Sequence, residues 1–237
     1  AAVADADQLD PDVRRVAFAR TDLVAKGNDL LDWIGSGRRA TPSGALRRVD
    51  IGYGAGLLGI NALGVSRLPD YVPDGQPLIE LGDPSPEPGP LQVLAMQNVP
   101  LLPSWWEALI VAQVIETNTY RATPGPAAVE WTAEALPPLE PAEMVIGITV
   151  AEFICEDMTK RVYFADRATA IMINLLLRAL APDEVPPPAY DDEWDELIAK
   201  RVVRDLERLV SVGVLTRNSS WLSCVRTTRT SSASQPH

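Results

Sequence analysis

The stretch SWWEALIVAQVIETNTYRATPGPAAVEW spans residues 104–131. Its first turns place Trp105, Leu109 and Ala112 on one stripe at helical spacing. Two short runs follow, VIETN and TYRAT, whose β-branched residues predict strands that meet in a turn near Asn118. PGPAAVEWTAEAL then predicts another helix, with Pro126 suited to its first turn. A helix followed by a two-stranded hairpin is the tail of a winged helix, the relative of helix-turn-helix in which the hairpin is the wing.

The same shape recurs on both sides. In WDELIAKRVVRDLERLVSVG (194–213) the residues Leu197, Ile198, Val202, Leu206, Leu209 and Val210 form one apolar stripe. VLTR, a polar turn at Asn218 to Ser220 and WLSCVRT then read as a hairpin, so that Leu109, Val114 and Ile115 correspond to Leu209, Val214 and Leu215. A looser version opens the chain: DLLDWI leads to GRRAT, a Pro42-Ser43-Gly44 turn and ALRRVD. The expected fold class is mainly α with short β-hairpins (α+β), as tandem winged-helix-like modules around a central helical segment. Prolines place the boundaries. Seven of the 21 fall within 69–90, which forbids long helices there, and shorter breaks occur at 137–141 and 181–190. The expected division is a winged-helix-like unit at 1–68, a connector at 69–90, a middle unit with added helices at 91–181, and a C-terminal unit at 182–237 with a polar tail.

One further run carries a resemblance. In LLDWIGSGRRATPSGALRRVDI the residues Trp33, Gly35, Gly37, Arg38, Thr41, Gly44 and Leu46 follow a Trp-containing helix and a G-x-G-R-x-x-T-x-x-G-x-L pattern. This resembles a segment typical of large, uncharacterised proteins of high-GC actinobacteria. Trp106, Ala108, Val114 to Glu116 and Pro124 to Trp131 are similar to the same group. The resemblance covers about half the chain, supports the fold expectation and implies no activity.

The net charge of −11 is unevenly spread. Residues 13–68 carry nine bases and four acids, residues 69–199 five bases and 22 acids, and residues 200–237 seven bases and two acids. Two basic ends flank an acidic middle, an arrangement that suits docking of one on the other in the molecule or an oligomer. The longest apolar runs, 144–154 and 168–177, fall short of the roughly 18–20 residues of a membrane span, so no membrane partner is expected. The acidic start AAVADADQLDPD does not read as a secretory signal, and Cys155 and Cys224 lie too far apart for a metal-type spacing. The expected location is cytoplasmic, with both thiols buried and structural.

Gly54, Gly56 and Gly59 fall in the order G-x-G-x-x-G after the strand-like LRRVDI, and Glu80 follows at the distance of a ribose-binding acid. The helix such a fold needs is cut short by Pro69, Pro73 and Pro77. The preferred reading is a short helix over LLGINALGV that opens in a glycine turn and buries Leu57, Leu58, Ile60 and Leu63. The only histidine is His237, and none of Lys26, Lys160 and Lys200 follows a phosphate-loop glycine run, so triad, histidine-zinc and Walker chemistries lack their residues. Glu152 and Glu156, at i and i+4, read as a solvated face. The six tryptophans read as core anchors.

Three functions follow in order. The first is a non-enzymatic protein-interaction or scaffold protein, with no cofactor, whose partner is another protein or a second copy. The second is a DNA-binding regulator using Arg201, Arg204 and Arg208, which recur at i, i+3 and i+7 opposite the apolar stripe, with Arg38, Arg39, Arg47 and Arg48 around the first wing. The third is an NAD(P)-dependent oxidoreductase.

Overall fold

A computed structural model of the chain describes residues 9–68, 89–133, 135–159, 165–180, 185–186 and 193–215. The fold is mainly α with short strands. Its helices are α1 (Pro11–Ala19), α2 (Asp22–Ile34), α3 (Arg48–Leu57), α4 (Leu102–Val111), α5 (Ala128–Ala133), α6 (Leu139–Thr159), α7 (Ala165–Leu180) and α8 (Glu193–Ser211). The strands are β1 (Arg38–Arg39), β2 (Ala62–Gly64), β3 (Leu91–Val93), β4 (Ile115–Asn118) and β5 (Arg121–Pro124). The chain divides into two compact units, Arg15–Thr149 and the remainder, with breaks inside α1 and α6.

In the unit Arg15–Thr149, the expected hairpin at 115–124 is present, with Asn118 opposite Arg121 and Ile115 opposite Pro124. Its outer neighbour comes from far away in the chain. Strand β1 pairs antiparallel with β5, Arg38 against Ala122 and Arg39 against Arg121, in the order β1-β5-β4. The first and middle stretches therefore share one sheet across the proline-rich segment, whose residues 69–88 lie outside those described.

Helix α4 is the centre of this unit. Trp105, Trp106, Ala108 and Leu109 are buried on it, and the two adjacent indoles point to different neighbours. Trp105 Nε1 donates to the carbonyl of Leu23 on α2 at 2.7 Å, and Trp106 Nε1 donates to the carbonyl of Gly44 at 3.1 Å. Helix α2 offers Leu23, Val24, Leu30, Leu31 and Ile34 as its buried stripe. Gly27 on the same helix admits the ring of Trp131 from α5, where an added Cβ would lie 3.0 Å from the indole. Helix α4 is entered through Leu101, whose φ of 63° closes a tight turn in which the Leu102 N–H donates to the Pro100 carbonyl at 2.7 Å. A buried leucine holds that strained conformation only because its surroundings are packed around it.

Two expectations about the first segment are overturned. ALRRVD is not the second strand of a hairpin: Ala40 bridges Leu46 across a tight loop, and Arg48 begins α3. The helix brings Arg47 within reach of Asp50 at i, i+3, and it buries Asp50, Ile51, Gly54 and Ala55 as one face. The glycines suit the packing, since a Cβ at Gly54 would lie 2.7 Å from Leu46 Cδ1. The expected helix over LLGINALGV is absent as well. Gly59, at φ 70°, ends α3 instead of opening a helix, and Ala62–Gly64 form β2, parallel to β3, with Leu63 exposed. The third glycine of G-x-G-x-x-G is thus a helix stop.

The same stop recurs. The Ile60 N–H donates to Ala55 past Gly59, the Val114 N–H to Leu109 past Gln113 (φ 58°), and the Val214 N–H to Leu209 past Gly213 (φ 74°). Each left-handed residue lets an amide reach back to the last turn and satisfy an open carbonyl. The correspondence of Leu109 and Val114 with Leu209 and Val214 is physical: the two helices end by one hydrogen-bond pattern.

In the other unit, α7 and α8 pack together. The stripe on α8 is buried at Ile198, Val202, Leu206 and Leu209, with Leu197 and Val210 half-buried, and α7 contributes buried Ala168, Ile171, Met172 and Leu175. The Thr169 hydroxyl donates to the Ile154 carbonyl at 3.3 Å. The second hairpin, expected from Val214 onward, lies beyond the described residues after Leu215, as do Trp221 and Cys224. Cys155 is exposed, so the expected burial of this thiol does not hold: it falls on the outward side of α6, two residues past buried Phe153. Trp194, expected in the core, is also exposed, whereas Trp105, Trp106 and Trp131 are core residues. Among the described residues no helix is long and apolar enough to cross a membrane.

Replacing Trp105 by Ala is predicted to cost about 3–5 kcal/mol, because a fully buried indole leaves a cavity. Trp105→Phe keeps most of the volume but strands the Leu23 carbonyl, at about 1–3 kcal/mol. Urea unfolding should rank wild type above Trp105→Phe above Trp105→Ala; a Trp105→Phe midpoint equal to wild type would show that the indole hydrogen bond contributes nothing.

Candidate functional site

The arginines expected at the first wing are brought close in the fold but serve different ends. Arg38 donates from both Nε and Nη2 to Asp50 Oδ1 at 3.2 Å, and Arg47 Nε donates to Asp50 Oδ2 at 3.3 Å. Each carboxylate oxygen of the buried Asp50 thus has its own guanidinium. Arg38 also lies over the Trp33 ring, 3.7 Å from its centroid, and Tyr53 stacks on Trp33 at 4.6 Å between centroids. The Tyr53 hydroxyl donates to the Asp29 carbonyl at 3.4 Å. Arg38 is therefore a structural clamp joining β1, α2 and α3.

Arg39 is exposed and sits directly opposite Arg121, a pairing of like charges that a sheet ordinarily avoids. The guanidinium of Arg121 turns aside. It donates to the Ser36 carbonyl at 3.0 Å and lies against Gly37, where a Cβ would overlap it.

Arg47 and Arg48 line an open cleft of about 470 Å³. One side is the loop between Ala40 and Arg48, and the other is the segment Leu94–Gln97 after β3. The two sides are tied by the β2–β3 ladder, in which the Leu91 N–H donates to Asn61 at 2.9 Å and the Val65 N–H to Val93 at 2.8 Å. Gly64 on β2 lies so close to the Arg48 backbone that no side chain fits there. The loop is closed by Thr41, whose hydroxyl donates to the Ala45 carbonyl at 3.1 Å and accepts the Ala45 N–H at 3.0 Å. Reading the chain alone missed the cleft, because Leu94–Gln97 carry no motif and reach it only through the parallel ladder.

The C-terminal arginines share one helix but not one role. Asp205 stands between two of them, 2.6 Å from Arg208 Nη1 and 3.9 Å from Arg201 Nε. Arg201, Asp205 and Arg208 also border a small pocket of about 50 Å³ with Phe153, Thr169 and Met172. Arg204 is exposed. The triad of cations is thus interrupted by a carboxylate that satisfies part of its charge.

Of the carboxylate pair named in the sequence, the side chain of Glu156 lies outside those described. Glu152 is exposed, and among the described residues no group of three His, Cys, Asp or Glu side chains is placed to hold a metal. Lys26 is held above its ordinary pKa by the hydrogen bond from its ammonium to Asp29 Oδ2 at 3.1 Å, and then by the charge of Asp29. Any stability from this raised Lys is present below the unfolded pKa and fades as pH climbs through the folded one, in the alkaline range above 10.5.

No family model, curated protein or solved structure matches the chain. The G-x-G-R-x-x-T-x-x-G-x-L run is explained by contacts within the fold. Trp33 stacks on Tyr53 and Arg38, Gly37 makes room for Arg121, Thr41 closes the loop, Gly44 accepts the Trp106 indole, and Leu46 fills the space over Gly54. These are folding constraints.

Asp50→Asn removes the charge that both guanidinium groups share, and a loss of about 1–3 kcal/mol is expected from the broken charged hydrogen bonds. Asp29→Asn, at an exposed i, i+3 pair, is expected to leave the midpoint of urea unfolding unchanged. Equal behaviour of the two variants would contradict the structural role given to Asp50.

Proposed function

We propose that the protein is a non-enzymatic interaction module in which Arg15–Thr149 is a single winged-helix-like unit and the partner is another protein or a second copy. The order α2, β1, α3, α4, β4, β5, into which the β2–β3 pair is inserted between α3 and α4, with β1 added outside β5, supports the winged-helix reading. On that reading α4 stands where a DNA-binding relative places its groove helix. The observation that carries the proposal is the composition of α4, LPSWWEALIV, which contains no lysine or arginine. Its outward positions are Glu107 and Val111, with Ile110 half-buried, while its tryptophans are committed to the core. An acidic and apolar face repels phosphates and suits a protein surface. Tyr120, at the hairpin turn, and Val129 add exposed apolar area in the same unit. A cytoplasmic setting is part of this proposal.

DNA binding is a second reading, supported by the exposed side chains of Arg201 and Arg204 on α8. Fluorescence anisotropy of a labelled random duplex, at low and moderate salt, separates the two. The interaction reading expects no duplex binding at tens of micromolar (about the range of non-specific DNA affinity), together with self-association or partner capture that persists at moderate salt. Duplex binding that weakens with salt and disappears in an Arg201, Arg204 and Arg208 to Glu variant would overturn it.

A further inference from the structure

We infer that the cleft between the loop 40–48 and the segment 94–97 is a binding site for a small phosphate monoester with an apolar or aromatic body. In a chain of net charge −11, this cleft is lined, among the described residues, by two arginines and by no aspartate or glutamate. Its volume of about 470 Å³ falls in the range of small-molecule sites, about 300–1,000 Å³. Arg48 is exposed and is not taken up by an ion pair among the described residues, and Arg47 spends Nε on Asp50, which leaves its Nη donors for a second anion. The Asp50 carboxylate, beside Arg47, is absent from the wall and has both oxygens occupied by Arg38 and Arg47. Ser43 and Gln97 also line it.

The arginines favour phosphate over carboxylate. A guanidinium presents several N–H groups in a fixed fork, and two of them offer more donors than the two oxygens of a carboxylate accept. The remaining wall is apolar: Leu46, Leu94 and Met96 with neighbouring alanines. Inorganic phosphate would leave that wall in water, so the better ligand carries an apolar group on its ester oxygen. The walls are built rather than incidental. The β2–β3 ladder, the Thr41 closure and the contact of Gly64 with the Arg48 backbone hold both sides without using the Arg48 side chain. The site is independent of whether the chain meets a protein or DNA elsewhere.

The test is calorimetry of the full chain with phenyl phosphate and with inorganic phosphate at matched ionic strength, beside an Arg48→Glu variant. A thermal melt without ligand verifies that the variant folds, and Arg48→Gln replaces it if it does not. The expected result is a Kd for phenyl phosphate of about 1 mM or tighter, at least about tenfold tighter than for inorganic phosphate, and at least about tenfold weaker in the variant. Amide shifts in an NMR titration should concentrate at residues 40–48 and 94–97. Absence of phenyl phosphate binding at about 10 mM, unchanged affinity in the variant, or shifts centred elsewhere would overturn the site. Equal affinity for the two phosphates would overturn the apolar part of the ligand.

Discussion

Two neighbouring indoles hold the larger unit together by facing different partners. Trp105 ties α4 to α2 through the Leu23 carbonyl, and Trp106 ties it to the β1–α3 loop through Gly44. Adjacent residues on a helix point about 100° apart, so one short element can fasten two separate stretches of chain only if both side chains are long and each carries a donor at its far end. Tryptophan meets both requirements, with a large apolar body and one N–H that must find an acceptor when buried. The rest of the unit is consistent with that pair. Gly44 is left-handed, and a Cβ there would lie 2.7 Å from Thr117 Oγ1, so the loop that offers its carbonyl to Trp106 also fits under the hairpin.

A second constraint is electrostatic. The Asp50 carboxylate is buried, and burial of an unpaired charge would be costly, so Arg38 and Arg47 converge on it from β1 and from the start of α3. The arginines that make the first stretch look like a nucleic-acid surface are thereby divided. Arg38 and Arg47 stabilise the fold, Arg39 lies on the exposed sheet beside Arg121, and Arg48 faces a cleft. The C-terminal helix repeats the lesson, since Asp205 takes up charge from Arg201 and Arg208. Counting cations along a sequence does not reveal how many of them are already engaged.

What was legible in the chain follows the strength of local signals. The hairpin at 115–124 and the stripe on α8 are marked by clear periods of two and of 3.6, and both are present. Strand β1 was visible only as GRRAT: it consists of two arginines, has no apolar alternation, and is a strand because β5 lies beside it. Helix α3 was read as extended because RRVDIGYGAG combines β-branched residues with glycines of low helix propensity. Tertiary contacts decided otherwise, through the Arg47–Asp50 pair and the close approach of Leu46 to Gly54. Of the proposed sites, the arginines were legible as residues, but the cleft was not, because its second wall arrives through a parallel ladder that no local pattern announces.

The proposed interaction module with its small cationic cleft depends throughout on α4 being locked in place. Hydrogen exchange of the indole protons, followed by NMR in heavy water, tests that most directly. The account predicts that the Trp105 and Trp106 indole protons persist and are lost only with global unfolding, since both are buried and hydrogen-bonded to backbone carbonyls. Exchange of either proton at the rate of a free indole under native conditions would contradict it.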